Sequence, residues 1–204
     1  LVDVFGVNGA TGKKAKNNPD ICLTVSEMVS RINATAEKIK GNEVLLALVG
    51  NEDMVEKWKG DVFEAWSEFF IRASSIDKKI GIYDYQINRK ADYGVDGLGK
   101  SIVDLTPATV QLKFRSNPTQ LLTSQDGISN FVSNSLTMFG VPQTAKNNML
   151  ILTTAKGLHE TVNAKMYNNT VRCLGYNELG KMVNKMRGFW EQFISSIEYT
   201  NKKD

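Results

Sequence analysis

The sequence predicts an α/β fold, and three observations predict it. Thr109 to Arg115 alternates without a break: Val110, Leu112 and Phe114 are apolar, while Gln111, Lys113 and Arg115 are polar or charged. That is the period of a strand with one face in a core. Asn51 to Ser74 spaces Val55, Trp58, Val62, Phe63, Trp66, Phe69, Phe70 and Ala73 as one broad helical stripe. Behind the alternating strand, short apolar runs interleave with helical patterns, as they do where helices cover a sheet.

The elements follow in order. Residues 1–20 are rich in Gly, Asn and Lys and read as loop; Val7 to Lys14 resembles a phosphate loop, but position 7 is Val where the first Gly belongs and Lys13 is followed by Lys14 rather than Ser or Thr, so a Walker motif is rejected. Thr24 to Lys40 has Val25, Met28, Val29, Ile32, Ala36 and Ile39 at helical spacing, with Thr24 and Glu27 as a capping box and Gly41 as the stop. Asn42 to Val49 is read as a further helix. Residues 1–50 therefore form a loop and helical appendage, one that could pack on the main domain, bind a partner or dimerise, and 51–200 form the main domain. Lys79 to Asn88 is the first strand, and Leu98 to Thr109 is a connection. Thr123 to Asp126 caps a helix reaching about Met138. Met149 to Thr154 suits a central strand covered on both faces. A helix over Ala155 to Tyr167, a strand over Val171 to Leu174 and a last helix from Asn177 to Ile197 complete the chain.

Composition narrows the function. The chain has 204 residues, 42% hydrophobic and 23% charged, with a net charge of +3. That permits a nucleic-acid partner without requiring one. No apolar run has the roughly 18 residues of a membrane span. Cys22 and Cys173 stand alone, which argues against a disulfide framework or a zinc site and for a reducing, cytoplasmic setting. With His159 the only histidine, His-dependent triads and His-rich metal sites are disfavoured. A chain opening on Leu1 is expected to be a piece of something longer, with further domains.

The candidate site lies where Gly94-Val95-Asp96-Gly97 meets the alternating strand. Gln111 and Lys113 project to one side of that strand. If the two segments pair as a hairpin, a carboxylate, an amide and an ammonium share a surface. Asp92 is a rival carboxylate.

These motifs resemble the PD-(D/E)xK nuclease superfamily, and within it the Mrr-like restriction endonucleases in which the usual Glu of the second motif is Gln. Gly94-Val95-Asp96-Gly97, Val110-Gln111-Leu112-Lys113 and the helix motif Gly60-Asp61-Val62-Phe63-Glu64 carry the resemblance, which covers about Val55 to Lys185. It implies a restriction-endonuclease-like fold, a central mixed β-sheet flanked by helices, and a Mg²⁺- or Mn²⁺-dependent endonuclease acting on DNA. Catalysis would fall to Glu64, Asp96, Gln111 and Lys113. Asp96, Gln111, Glu64 and the backbone carbonyl of Leu112 would be the metal ligands, and Lys113 would orient water and stabilise charge. Arg115, Lys100 and Arg89 would position phosphates, and Gln125, near a helix start, would touch one. Cutting both strands would call for a homodimer. The enzyme would act alone or as the nuclease module of a larger phage, mobile-element or defence protein. The alternative is a nuclease-fold module without activity that binds nucleic acid or a protein partner.

Overall fold

The computed structural model describes residues 2–6, 21–89, 93–162 and 170–201. The loop read over 1–20, the rival Asp92 and the second half of the helix read over Ala155 to Tyr167 lie largely or wholly outside these residues. Two compact units divide the chain, one formed by residues 1–62 with 177–204 and the other by 63–176. The division therefore falls not after residue 50 but inside the long helix, and it assigns the C-terminal helices to the unit that holds the N-terminal segment.

The first unit is helical. Helix α1 spans Val2–Phe5, α2 Val25–Lys40 and α3 Glu43–Val49, and α4 (Glu52–Ala73) begins in this unit. Thr24 caps α2 by accepting the Glu27 N–H at 3.0 Å, while the Glu27 carboxylate takes the Leu23 N–H at 2.8 Å. The expected cap is thus present, with its acid reaching one residue further out. The long C-terminal helix expected from the sequence is two, α7 (Tyr176–Val183) and α8 (Arg187–Asn201). They are separated at Lys185, whose φ of 62° no helix continues through. Asn184 then accepts the Val25 N–H at 2.9 Å, and the Phe5 and Phe193 rings meet edge to face at 4.7 Å. Helix α3 buries none of its residues, and Val44 and Leu48 are exposed on it.

The second unit is built on a five-stranded mixed sheet in the order β1-β2-β3-β5-β7. Its strands are β1 (Ile82–Ile87), β2 (Gly97–Ser101), β3 (Pro107–Lys113), β5 (Met149–Thr153) and β7 (Val171–Leu174). β1, β2 and β3 are antiparallel neighbours, while β3-β5 and β5-β7 are parallel. β5 is buried along its whole length, as its apolar run predicts. The stretch read as a connection over Leu98 to Thr109 is instead mostly strand: β2 and β3 form a hairpin closed by a turn in which Leu105 donates to the Ser101 carbonyl at 2.9 Å. β1 keeps Ile82 and Tyr85 inward because a bulge falls between Tyr83 and Gln86, with Asp84 at φ 55° as the extra residue.

Two layers cover this sheet. On one face, α5 (Ile128–Thr137) packs Ile128 and Phe131 with Val95, Leu122, Met149 and Ile151. The cap at Thr123 and Asp126 exists but opens a 3₁₀ turn, Ser124–Asp126, and Gly127 at φ 76° separates that turn from α5. The start of the helix expected after residue 154 is also different. Gly157–Leu158 is a short strand, β6, paired with β4 (Leu121–Leu122), and only Glu160–Val162, α6, is helical. The other face receives the later part of α4, where Phe63, Trp66 and Phe70 stack in series and Phe63 lies 6.2 Å from Phe114.

Cys22 and Cys173 form no disulfide among the described residues, and Cys22 is buried. Burial pushes the Cys22 thiol from 9.0 up to about 12. Its folded value lies above its unfolded one, so its contribution to stability is complete below pH 9.0 and is lost as pH rises toward about 12. In a Cys173→Ser background, Cys22 should react with an aromatic disulfide reagent at pH 8 at least about tenfold more slowly in the native protein than in denaturant. Equal rates would show that the thiol is accessible.

Candidate metal and phosphate site

The site begins with a strand that leaves its neighbour. β2 and β3 are in register from Lys100 opposite Pro107 to Gly97 opposite Val110. One residue earlier, Asp96 still donates its N–H to the Val110 carbonyl at 2.9 Å and accepts from Asn88 at 2.8 Å. The chain then bends at Gly94, whose φ of 72° favours glycine. Leu112 of β3 has lost the backbone partner that a continued ladder would give it. The Asp96 carboxylate replaces that partner, with Oδ2 accepting the Leu112 N–H at 2.6 Å. In an extended strand, N–H and C=O of one residue point the same way. The Leu112 carbonyl therefore points into the gap that Asp96 closes.

Gln111 and Lys113 come from the side of β3 that meets α5. Thr109, two residues before Gln111, fixes this side: its Oγ1 lies 2.8 Å from Ser135 Oγ on α5. β3 is no edge strand, because β2 and β5 flank it. Gln111 is only 2% exposed, and its Oε1 is buried with no hydrogen-bond partner among the described residues. An orphaned buried acceptor costs about 1–3 kcal/mol. Gln111 and Lys113 line one cavity of about 510 Å³ with Tyr93, Gly94, Gly127, Asn130 and Asn134. The Asn134 amide donates to the Tyr93 carbonyl at 2.6 Å and so ties this wall to α5.

Glu64 lies on α4 and does not line the cavity of Gln111 and Lys113. It and Asp96 are related through Tyr85, a residue that sequence reasoning assigned only to the first strand. Burial pushes the Tyr85 hydroxyl well above its ordinary range, and the charges of Asp96, Glu64 and Glu68 push it further. That hydroxyl is buried without a hydrogen-bond partner among the described residues. Its ring lies on Gly97, where a Cβ would stand 2.2 Å from the ring and the hydroxyl oxygen. Gly97 is thus required by close approach. The Tyr83-x-Tyr85 pattern marks a strand, but only the bulge at Asp84 turns Tyr85 toward the carboxylates.

The expected phosphate contacts are distributed differently. Arg115 is paired with Asp126. Burial raises the Asp126 carboxyl, but the Thr123 backbone and Arg115 outweigh it and hold the group below its ordinary value. Gln125 is exposed on the 3₁₀ turn, its own N–H donated to Thr123 Oγ1 at 3.3 Å. Arg89 and Lys100 line a second cavity rather than the one holding Gln111 and Lys113.

Among the described residues, no group of three or more His, Cys, Asp or Glu side chains is placed to hold a metal ion. The donor set expected here differs in kind, with two carboxylates, one amide oxygen and one backbone carbonyl. An all-oxygen set suits a hard cation such as Mg²⁺. The orphaned Gln111 Oε1 fits such an ion, since a cation would give it the partner it lacks. The chain matches no family model, no curated protein and no solved structure. No helix of the described residues is long and apolar enough to cross a membrane.

Two substitutions test this packing. Gly97→Ala should lower unfolding free energy in urea by about 1–3 kcal/mol, because its Cβ meets a buried ring. Tyr85→Phe keeps the ring and removes the orphaned hydroxyl, so stability should hold or rise by about 1 kcal/mol. A clear loss on Tyr85→Phe would mean that the hydroxyl donates to a neighbouring carboxylate.

Proposed function

We propose that this protein is a metal-dependent endonuclease hydrolysing phosphodiester bonds of DNA. The observation that carries the proposal is the buried, unpartnered Oε1 of Gln111 at the opening where Asp96 closes the sheet, with Lys113 in the same cavity. The resemblance of these motifs to Mrr-like nucleases supports it. Asp96, Gln111, the Leu112 carbonyl and Glu64 would hold Mg²⁺ or Mn²⁺. When bound, such a cation supplies charge neutralisation at the phosphoryl group and acidifies water.

The chain's own residues do the rest. The Leu112 N–H holds the Asp96 carboxylate in one orientation, which removes the cost of ordering it during reaction. Lys113 is half-buried, so its ammonium acts in a medium less screened than water. There it orients the attacking water and stabilises negative charge as the phosphoryl centre gains a fifth oxygen. Gln111 is neutral where a carboxylate would carry charge, and Glu64 supplies the missing negative charge from α4. One site cuts one strand, so cleavage of both would call for a second copy.

One observation favours a second reading, a nucleic-acid-binding module without activity: Asp96 Oδ2 is already engaged by Leu112. Plasmid nicking separates the two readings. With Mg²⁺ or Mn²⁺ the purified protein should nick supercoiled plasmid, and Asp96→Ala or Lys113→Ala should each lower the rate by about 100-fold or more. DNA binding without nicking in either metal would favour the module, and nicking that survives both substitutions would remove this site from the chemistry.

A further inference from the structure

The second cavity has a composition that the hydrolytic site does not require. It measures about 920 Å³ and, like the first, is lined by Tyr93. That volume lies within the range of pockets that hold small organic ligands. Leu98, Met138 and Phe139 give it apolar walls, and Tyr93 presents an aromatic side chain that is 42% exposed. Its cations are not equivalent. Arg72 is held by Glu68 at 2.8 Å and donates to the Tyr85 carbonyl at 3.2 Å. The side chains of Arg89 and Lys100 are exposed and make no hydrogen bond or ion pair among the described residues. Asp84 is the remaining acid, so the lining carries a net charge of +1.

An aromatic face, apolar walls and two cations unpaired among the described residues match the parts of a nucleotide: a base that stacks and a phosphate that attracts cations. A base in a duplex is stacked on both faces and paired along its edge, and only an unpaired one has a face free to offer. We propose that this cavity takes one unpaired DNA nucleotide, its base stacked on Tyr93 and its phosphate held by Arg89 and Lys100, next to the phosphate presented to Lys113. The inference deepens the nuclease reading, on which it rests for the position of that second phosphate. It makes the preferred substrate single-stranded, frayed or flapped DNA.

Binding is measurable without cleavage. The full chain carrying Asp96→Asn, without divalent metal, is titrated against a fluorescein-labelled single-stranded oligonucleotide, the same sequence as a duplex, and a single strand containing 2-aminopurine. The single strand should bind at least about tenfold more tightly than the duplex, and 2-aminopurine fluorescence should be quenched. Tyr93→Ala should weaken single-strand binding by about 10- to 100-fold, and Tyr93→Phe should restore it. Arg89→Ala with Lys100→Ala, which frees one phosphate, should flatten the log–log salt dependence by about 0.7.

Equal affinity for duplex, or single-strand binding unaffected by Tyr93→Ala in a protein of unchanged circular dichroism, would overturn the inference. So would an RNA strand bound much more tightly than DNA. Tyr93-dependent binding by a wild-type protein that cuts nothing would leave the cavity assigned and remove the nuclease reading. Metal-dependent cutting with Tyr93 irrelevant to binding would do the reverse.

Discussion

The hydrogen bond from the Leu112 N–H to the Asp96 carboxylate is the constraint on which the site depends. A sheet has to satisfy every buried backbone group, and where β2 bends away at Gly94 one N–H of β3 would be orphaned. Using a side-chain carboxylate as the missing partner does two things at once. It keeps the central strand intact to its end, and it fixes an anionic group at the mouth of the sheet. The Leu112 carbonyl faces that mouth, Gln111 and Lys113 flank it from one face, and Glu64 stands on α4, the helix that covers the other.

The opening also holds two buried polar groups that the fold leaves unsatisfied. Tyr85 and Gln111 bury a hydroxyl and an amide oxygen without partners among the described residues, while the packing around Tyr85 is tight enough that a side chain at Gly97 would meet its ring. Each such group costs about 1–3 kcal/mol, a sizeable share of the 5–15 kcal/mol by which a domain is usually stable. Elsewhere in this unit the local rules agree with one another, as β5 and α5 show. Two further buried atoms of this unit, Ser67 Oγ and Arg172 Nε, also have no partner among the described residues, so it is the company of two carboxylates and a lysine, not the cost alone, that marks the opening.

Much of this was legible in the sequence. Period-2 alternation gave β3, and the spacing of Phe63, Trp66 and Phe70 gave α4. Continuous hydrophobicity gave β5 as a strand buried on both faces. What escaped depends on backbone torsions that no periodicity encodes. The bulge at Asp84 turns Tyr85 toward Glu64 and Asp96, and positive φ at Gly127 and Lys185 cuts apparent helices in two. The pairing of Arg115 with Asp126 was equally hidden, since it needs the turn before α5 to fold back onto the end of β3. Gly94-Val95-Asp96 and Gln111-x-Lys113 supplied the site's residues. Their shared dependence on the break between β2 and β3 became visible only in three dimensions.

The central claim is that Asp96 and Gln111 Oε1 together face a hard cation. The most direct measurement is anomalous scattering from a crystal of the protein soaked in Mn²⁺. The account predicts one strong peak within coordination distance, about 2.0–2.3 Å, of an Asp96 carboxylate oxygen and of Gln111 Oε1. Crystals that hold Mn²⁺ only elsewhere, or show Gln111 Oε1 hydrogen-bonded to the protein itself, would contradict it.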